Sequence, residues 1–322
     1  MPAGTLTIEN HLSRADAHAA LALATMIDEH DGVSAFNDQS RVVLRSQLTG
    51  GPAPEAEGVR HVLLRAGDAL VGYAQLDVAG HSGELAVHPE RRRQGHGRSL
   101  LDAVRTEDPR AALWAHGDLP GARALAASAG LQPQRTLLKL AASLPEAMAV
   151  AGVPADSSPA AHGLPQARTF EDDDAQALLE LNARAFATHP EQGRMSLADL
   201  RARQQEPWFD PGELWLVPAE SLEVAAEPSG SPAPRLAAFL WLKIEPGADR
   251  AGPQEGEIYV LGVDPQEQGR RWGSRLTSLA LARLAARGLR HAALYVEADN
   301  IAARRTYERK GFATAAVDTQ FA

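Results

Sequence analysis

The chain has no cysteine. Disulfides and thiolate metal sites are excluded, and the expected compartment is the cytoplasm. Lysine is nearly missing too: Lys139, Lys243 and Lys310 are the three among 32 basic residues. Arginine codons dominate the coding sequence, and Lys243, inside the apolar run FLWLKIEPG, is therefore a less routine choice than elsewhere. No apolar run approaches the roughly 18 to 20 residues of a membrane span. The best N-terminal candidate, AALALATMI, is flanked by acids and histidine and reads as a soluble helix, with no signal peptide or anchor expected. The 11 histidines show no metal spacing such as HExxH, so no metal is expected. Positive charge is also short, with a net charge of −9. This argues against nucleic-acid binding, which rests on phosphate neutralisation. A local basic patch can still hold one anionic cofactor.

What is present is enough chain for two cores: 322 residues, 44% hydrophobic and 23% charged. The segment SLPEAMAVAGVPADSSPAAHGLP is rich in Pro, Ala, Ser and Gly and has no sustained period. It divides the chain into a domain over 1–142, a linker over 143–165 and a domain over 166–322. A second loose stretch, 218–235, reads as a long hairpin loop between WLV and LAAFLWLKI. The same plan occurs on both sides of the linker. The first half runs LVGYAQLDV, GELAVHPERRRQGHGRSLLDAV, AALWAHGDLPGARALAASAGL. The second runs LAAFLWLKI, GEIYVLGVDPQEQGRRWGSRLTSLAL, AALYVEADNIAARRTYERKGF. An internal duplication explains both.

Two stretches, one from each copy, stand out. In VHPERRRQGHGRSLL a strand ends at Val87, His88-Pro89 breaks it, and a basic Gly-rich turn leads into a helix near Gly97. Glycines allow close backbone approach, and a helix N-terminus offers free N–H groups and its dipole. Such a turn suits a pyrophosphate. In LYVEADNIAARRTYERKGF a β-prone run reaches Asp299 and Asn300, either able to cap a short helix that Gly311 ends. Tyr307 is then a core side chain or a group aimed back at the strand end.

The pattern V-x-P-x-x-[RQ]-x-x-G-x-G after a strand resembles the GCN5-related N-acetyltransferase (GNAT) family. It matches at Arg92, Gly95 and Gly97, and again at Gln268 and Gly273. The resemblance implies two tandem GNAT domains, each a mixed α/β sheet with helices, using acetyl-CoA. In the first domain acetyl-CoA is expected at Leu85, Ala86, Val87, Arg93, Gln94, Gly95, His96, Gly97 and Arg98. In the second it is expected at Leu261, Gly262, Val263, Gln268, Gly269, Arg270, Arg271, Trp272, Gly273 and Ser274. Asn300, Ile301, Ala302, Ala303, Arg304 and Arg305 complete that second set. Arg271 replaces the middle loop glycine, and an Arg is costly where φ must be positive. Either the turn is rearranged or acetyl-CoA is held less well there.

In this family the strand splays from its neighbour to admit the thioester. By resemblance, Glu257 takes the ammonium proton, the backbone around Leu261 to Val263 polarises the carbonyl, and Tyr307 protonates the leaving thiolate. Aligning the two copies puts Ala126 opposite Tyr307 and His81 opposite Glu257. The first domain thus keeps the anion loop and lacks the chemistry.

HPEQG and EPWFDP in combination are more specific. They resemble a tandem-domain branch of the family that acetylates the cysteine α-amine of cysteinyl-glucosaminyl-inositol, a pseudo-disaccharide. The acceptor contacts this implies are Asp38, Glu191, Lys243, Glu257 and Tyr295, with the acceptor expected between the domains. The enzyme is expected to act as a monomer, without nucleic acid or membrane. The alternatives are an acetyltransferase for another small amine or a protein N-terminus, and a non-catalytic acyl-CoA-binding protein.

Overall fold

The computed structural model describes residues 4–49, 58–219, 235–247 and 254–322, which fall into two units. The first takes in the chain up to Leu137 together with Ala316–Ala322. It opens with strand β1 (Thr5–Glu9) and helix α1 (Arg14–Asp31). Ser13 accepts a hydrogen bond from the Asp16 N–H at the start of α1, and Gly32 ends it at φ 71°. Ala17, Ala20, Leu23, Ala24 and Ile27 form its buried stripe, set against Phe36, Leu63 and Tyr73. This is the helix expected of AALALATMI. Helix α2 (Asp38–Thr49) follows, then the antiparallel strands β2 (Val59–Ala66), β3 (Ala69–Asp77) and β4 (Ser82–Val87).

Helix α3 (His96–Glu107) carries the chain from β4 to its parallel neighbour β5 (Ala112–Ala115). A parallel partner requires such a crossover. Leu100, Leu101 and Val104 of α3 pack on Val62, Leu64 and Ala74, where truncating one leucine costs about 2–5 kcal/mol. Helix α4 (Pro120–Ser128) comes next. The far side of β5 is paired by the C-terminal residues Thr319, Gln320 and Phe321.

Strand β6 (Pro133–Ser143) enters the second unit at Leu138. Helix α5 (Leu144–Ala151) follows, then the short β7 (Arg168–Thr169) and helices α6 (Ala175–Ala185), α7 (Pro190–Gly193) and α8 (Leu197–Gln204). Strands β8 (Leu214–Pro218), β9 (Leu236–Lys243) and β10 (Glu255–Val263) are antiparallel. Helix α9 (Trp272–Ala286) crosses to β11 (His291–Glu297), parallel to β10. Helix α10 (Ile301–Glu308) and β12 (Ala313–Phe321) complete the chain, β12 entering the first unit at Ala316. The unit's strand order is β6-β11-β10-β9-β8-β7. Both sheets are mixed, and each contains a β–α–β crossover preceding a short helix.

Boundaries depart from the division at 142. Residues 143–165, read as a linker, contain α5, which packs on α9 with Leu144 and Ala147 each 1% exposed. Eight residues rich in Ala, with Pro145 in the first turn and Gly152 as an αL cap, show too little period to register as a helix in sequence. Of the stretch 218–235, residues 220–234 lie outside the described residues; the strands on either side pair as a hairpin.

Candidate active site

Strand β10 pairs with β11 only from Glu255 to Ile258, ending at Ile258↔Leu294. Its pairing with β9 shifts register between Ile258 and Val260, as a bulge does. In the first unit β4 pairs with β5 only over Ser82–Glu84. Both crossovers therefore open into a splay at the C-terminal ends of their parallel strands. Backbone alternation decides what faces it. The Asp264 N–H bonds Ala237 O at 2.9 Å and the His88 N–H bonds Val71 O at 2.9 Å, both away from the splay. The N–H groups of Leu261 and Val263, and of Leu85 and Val87, consequently point into it.

The bulge corrects one alignment. Counted along the paired strands, Ser82 (opposite Ala112) and not His81 holds the place of Glu257 (opposite Ala293). His81 sits in a turn at φ 50°, its ring held by Asp108 at 2.5 Å. Ala126 does hold the place of Tyr307. The Leu131 N–H bonds Ala126 O at 3.0 Å, as the Phe312 N–H bonds Tyr307 O at 3.2 Å, and Gly130 and Gly311 have φ of 75° and 84°.

Past each splay the strand meets a loop. His88 Nδ1 accepts from the Glu90 N–H, and Asp264 Oδ1 from the Gln266 N–H, so the V-H/D-P motif caps the same short turn twice. Asp264 is fully buried. Burial raises its pKa, but the Gln266 N–H, Arg235 and Arg184 together hold it below the ordinary value. The loop then needs two left-handed residues. In the first unit they are Arg93 (φ 61°) and Gly95 (φ 88°); in the second they are Gly269 (φ 83°) and Arg271 (φ 65°). Each loop has one glycine and one arginine, in exchanged positions. Arg271 has not rearranged the turn: like Gly95 it caps the following helix in αL geometry.

The first helical bonds are Ser99 N–H to Gly95 O and Arg275 N–H to Arg271 O, each at 3.0 Å. The N–H groups of His96, Gly97 and Arg98, and of Trp272, Gly273 and Ser274, have no intrahelical acceptor. They fit a diphosphate at the positive helix end. Arg92, which carries the motif in sequence, forks onto Asp31 at 2.8 and 2.7 Å and so braces the loop against α1. Arg270 is tied to Glu267 at 2.9 Å. Trp272 lies under the Arg275 guanidinium, 5.2 Å from the ring centroid. Lys310 donates to Ser278 Oγ at 2.7 Å, and burial first, then the nearby Arg271 charge, lowers its pKa. Lys310 is a cation beside this loop that motif reading passes over.

Tyr307 sits on α10, which Asn300 caps by accepting from the Ala303 N–H at 3.1 Å. Its ring is 9% exposed and edge-on to Phe312 at 5.9 Å. The hydroxyl has no hydrogen-bond partner among the described residues, and burial pushes its pKa up to about 12. Arg304 is braced on Ala298 O at 2.7 Å.

Glu257 stands directly opposite Lys243 on β9, on one face of the sheet. The Lys243 ammonium is 3.3 Å from Glu245, 5.2 Å from the Trp208 centroid and 5.8 Å from that of Tyr259. Trp208 and Tyr259 lie 4.9 Å apart, and the Tyr259 hydroxyl accepts from Arg203 at 2.9 Å. EPWFDP thus supplies the wall behind Lys243. In HPEQG, Gln192 locks to Asn182 through two hydrogen bonds of 2.6 and 3.0 Å; the side chain of Glu191 lies outside the described residues. Tyr295, 43% exposed, lies beyond the last β10–β11 pair. Glu257, Lys243, Tyr295 and Tyr307 share the second unit, whereas Asp38 opens α2 in the first. Sequence reasoning passed over Trp208, Tyr259 and Arg203; EPWFDP was the available signal for the first.

A cavity of about 480 Å³ lies within the first unit. It extends from the loop (Arg93, Gly95, Arg98) past Val87 and Trp114 to Ala126 and Phe321. His116, which also lines it, contacts Glu84 at 2.7 Å and Asp318 at 3.0 Å. Burial lowers the His116 pKa, but the two carboxylates outweigh it and push it up to about 10.

A model of the Acetyltransferase (GNAT) family matches residues 176–312, and one of the GNAT domain matches 57–129. The chain is 43% identical over 320 residues to the mycothiol acetyltransferase of Thermobispora bispora, covering 98% of this chain and 99% of that one. It is 41% identical over 332 residues to that of Streptomyces scabiei, covering 99% and 96%. Among solved structures, a tandem GNAT protein from the clavulanic acid biosynthesis pathway superposes with a TM-score of 0.62 at 18% identity, covering 98% of each chain. A GCN5-related N-acetyltransferase from Sphaerobacter thermophilus gives 0.61 at 19%, covering 98% and 94%. These two establish likeness of fold.

Proposed function

The chain belongs to the mycothiol acetyltransferase family of GNAT enzymes, and on that footing we propose how its own residues carry the reaction. It is an acetyl-CoA-dependent N-acetyltransferase. The acceptor is the cysteine α-amine of cysteinyl-glucosaminyl-inositol, the products are mycothiol and CoA, and the chemistry belongs to the second unit. Acetyl-CoA supplies the acetyl group, its diphosphate held by the N–H groups of Trp272, Gly273 and Ser274. Among the other loop residues, Arg271 adds positive charge and Gln268 to Arg270 shape the turn.

Glu257 accepts the ammonium proton of the acceptor, directly or through water. The N–H groups of Leu261 and Val263, beyond the last β10–β11 pair and without a strand partner among the described residues, polarise the carbonyl that enters the splay. Tyr307 donates to the departing sulfur; a phenol held near 12 retains its proton until that charge develops. Lys243, fixed over Trp208 and Tyr259, donates to acceptor hydroxyls, and Glu191 and Tyr295 are further acceptor contacts. The observation that carries this reading is the parallel pair opening at Ile258–Leu294, with Glu257 on one of its strands and Tyr307 on the helix that follows the other. The enzyme acts as a monomer in the cytoplasm.

The test is incubation of the pure protein with acetyl-CoA and cysteinyl-glucosaminyl-inositol, with acetylated product followed by mass spectrometry. Rapid turnover supports the assignment. Bound acetyl-CoA without product would replace this acceptor with another amine.

A further inference from the structure

In the second unit Tyr307 and Phe312 lie edge to edge, their ring centroids 5.9 Å apart. Their counterparts in the first unit are Ala126 and Leu131, by the same hydrogen bonds and the same αL glycine. Both line the cavity there, and Phe321 of the C-terminal strand lines it as well. A methyl and an isobutyl group take up less of that recess than two rings would. It continues from the anion loop and the N–H groups of Leu85 and Val87 into apolar surface.

His116, the histidine lining the recess, is closed on two carboxylates. Both His116 ring nitrogens are engaged, by Glu84 and by Asp318, and Glu84 also accepts from the Asn37 N–H at 3.1 Å. Glu84 is 2% exposed. No phenol stands where the second unit has one. The recess therefore rewards apolar atoms and, among the described residues, offers no phenol to a leaving thiolate.

We propose that the first unit binds, without turning over, an acyl-CoA whose acyl chain is longer than acetyl, its diphosphate on the Arg93–Arg98 loop and its chain in the recess opened by Ala126 and Leu131. This rests on the reading that the loop holds CoA, and the experiment separates the two.

Calorimetric titration of the full chain, without acceptor, would use CoA, acetyl-CoA, butanoyl-CoA and hexanoyl-CoA as probes. Two CoA per chain are expected. One of the two sites should tighten about fourfold for each added methylene until the recess is full, or roughly fifteenfold from acetyl to butanoyl. Ala126→Leu should erase that gain while leaving CoA affinity within about threefold, with the melting curve as a check on folding. A variant that fails to fold leaves the wild-type series to decide. Two CoA per chain with no gain from acetyl to hexanoyl at either site would overturn the recess and leave the loop reading standing. A single CoA per chain, unaffected by Ala126→Leu, would overturn both.

Discussion

Replacing Tyr307 by phenylalanine separates chemistry from packing. The ring is 9% exposed and lies edge-on to Phe312; Phe preserves both its volume and that contact. The hydroxyl lost has no hydrogen-bond partner among the described residues and is not a sealed-off polar atom, so its removal breaks no bond and relieves no burial penalty. The melting temperature should stay within about two degrees of the wild type. Activity should not follow. Losing a general acid lowers turnover by about 10²- to 10⁴-fold, with the Kd for acetyl-CoA nearly constant because the loop is untouched. The assay is steady-state acetylation of the cysteinyl acceptor beside a thermal melt and a calorimetric titration. A loss below tenfold would remove Tyr307 from the proton path. A large loss accompanied by a fall of several degrees in melting temperature would show the residue to be structural.

Glu257→Gln should lower kcat/KM by about 10²- to 10⁴-fold and remove the acid-side limb of the pH–rate profile; an unchanged limb would assign the base elsewhere. Arg271→Gly should relieve the left-handed strain of a non-glycine residue, raising stability by about 1 kcal/mol, while acetyl-CoA affinity in the second unit falls with the lost charge. Stability and affinity moving together would contradict that separation. The His116 pKa is raised on folding from 6.5 to about 10, so its contribution is complete below about pH 6.5 and disappears as pH rises through about 10. The melting temperature of the wild type should fall over that window more steeply than that of His116→Gln; parallel curves would count against the carboxylate pair.

Much of the site was legible because its signals are local. A loop that must present N–H groups after a strand writes glycine and a helix start into consecutive residues, and the duplication wrote them twice. The helix bearing Tyr307 announces itself through Asn300 and Gly311, whose capping and αL roles depend on neighbours in sequence. Less legible were α5, too short and alanine-rich to show a period, and the bulge in β10, which moved the counterpart of Glu257 from His81 to Ser82. A bulge is a property of pairing with β9, and one strand alone does not record it.

Arg271 marks the division most clearly. Its sequence shows an arginine where a glycine belongs; only the backbone shows that the turn persists, with Gly269 and Arg271 exchanging the parts of Arg93 and Gly95. The arginine that carries the motif in sequence, Arg92, is turned by folding onto Asp31 and away from phosphate duty. The sequence by itself determined the two copies, their loops and which copy keeps a tyrosine, since each follows from residue type at fixed spacing. Tertiary structure decided which strand completes each unit, that Trp208 and Tyr259 wall in Lys243, and that the copy without the tyrosine holds a cavity. Those outcomes depend on side chains far apart in the chain meeting in space, which no local pattern encodes.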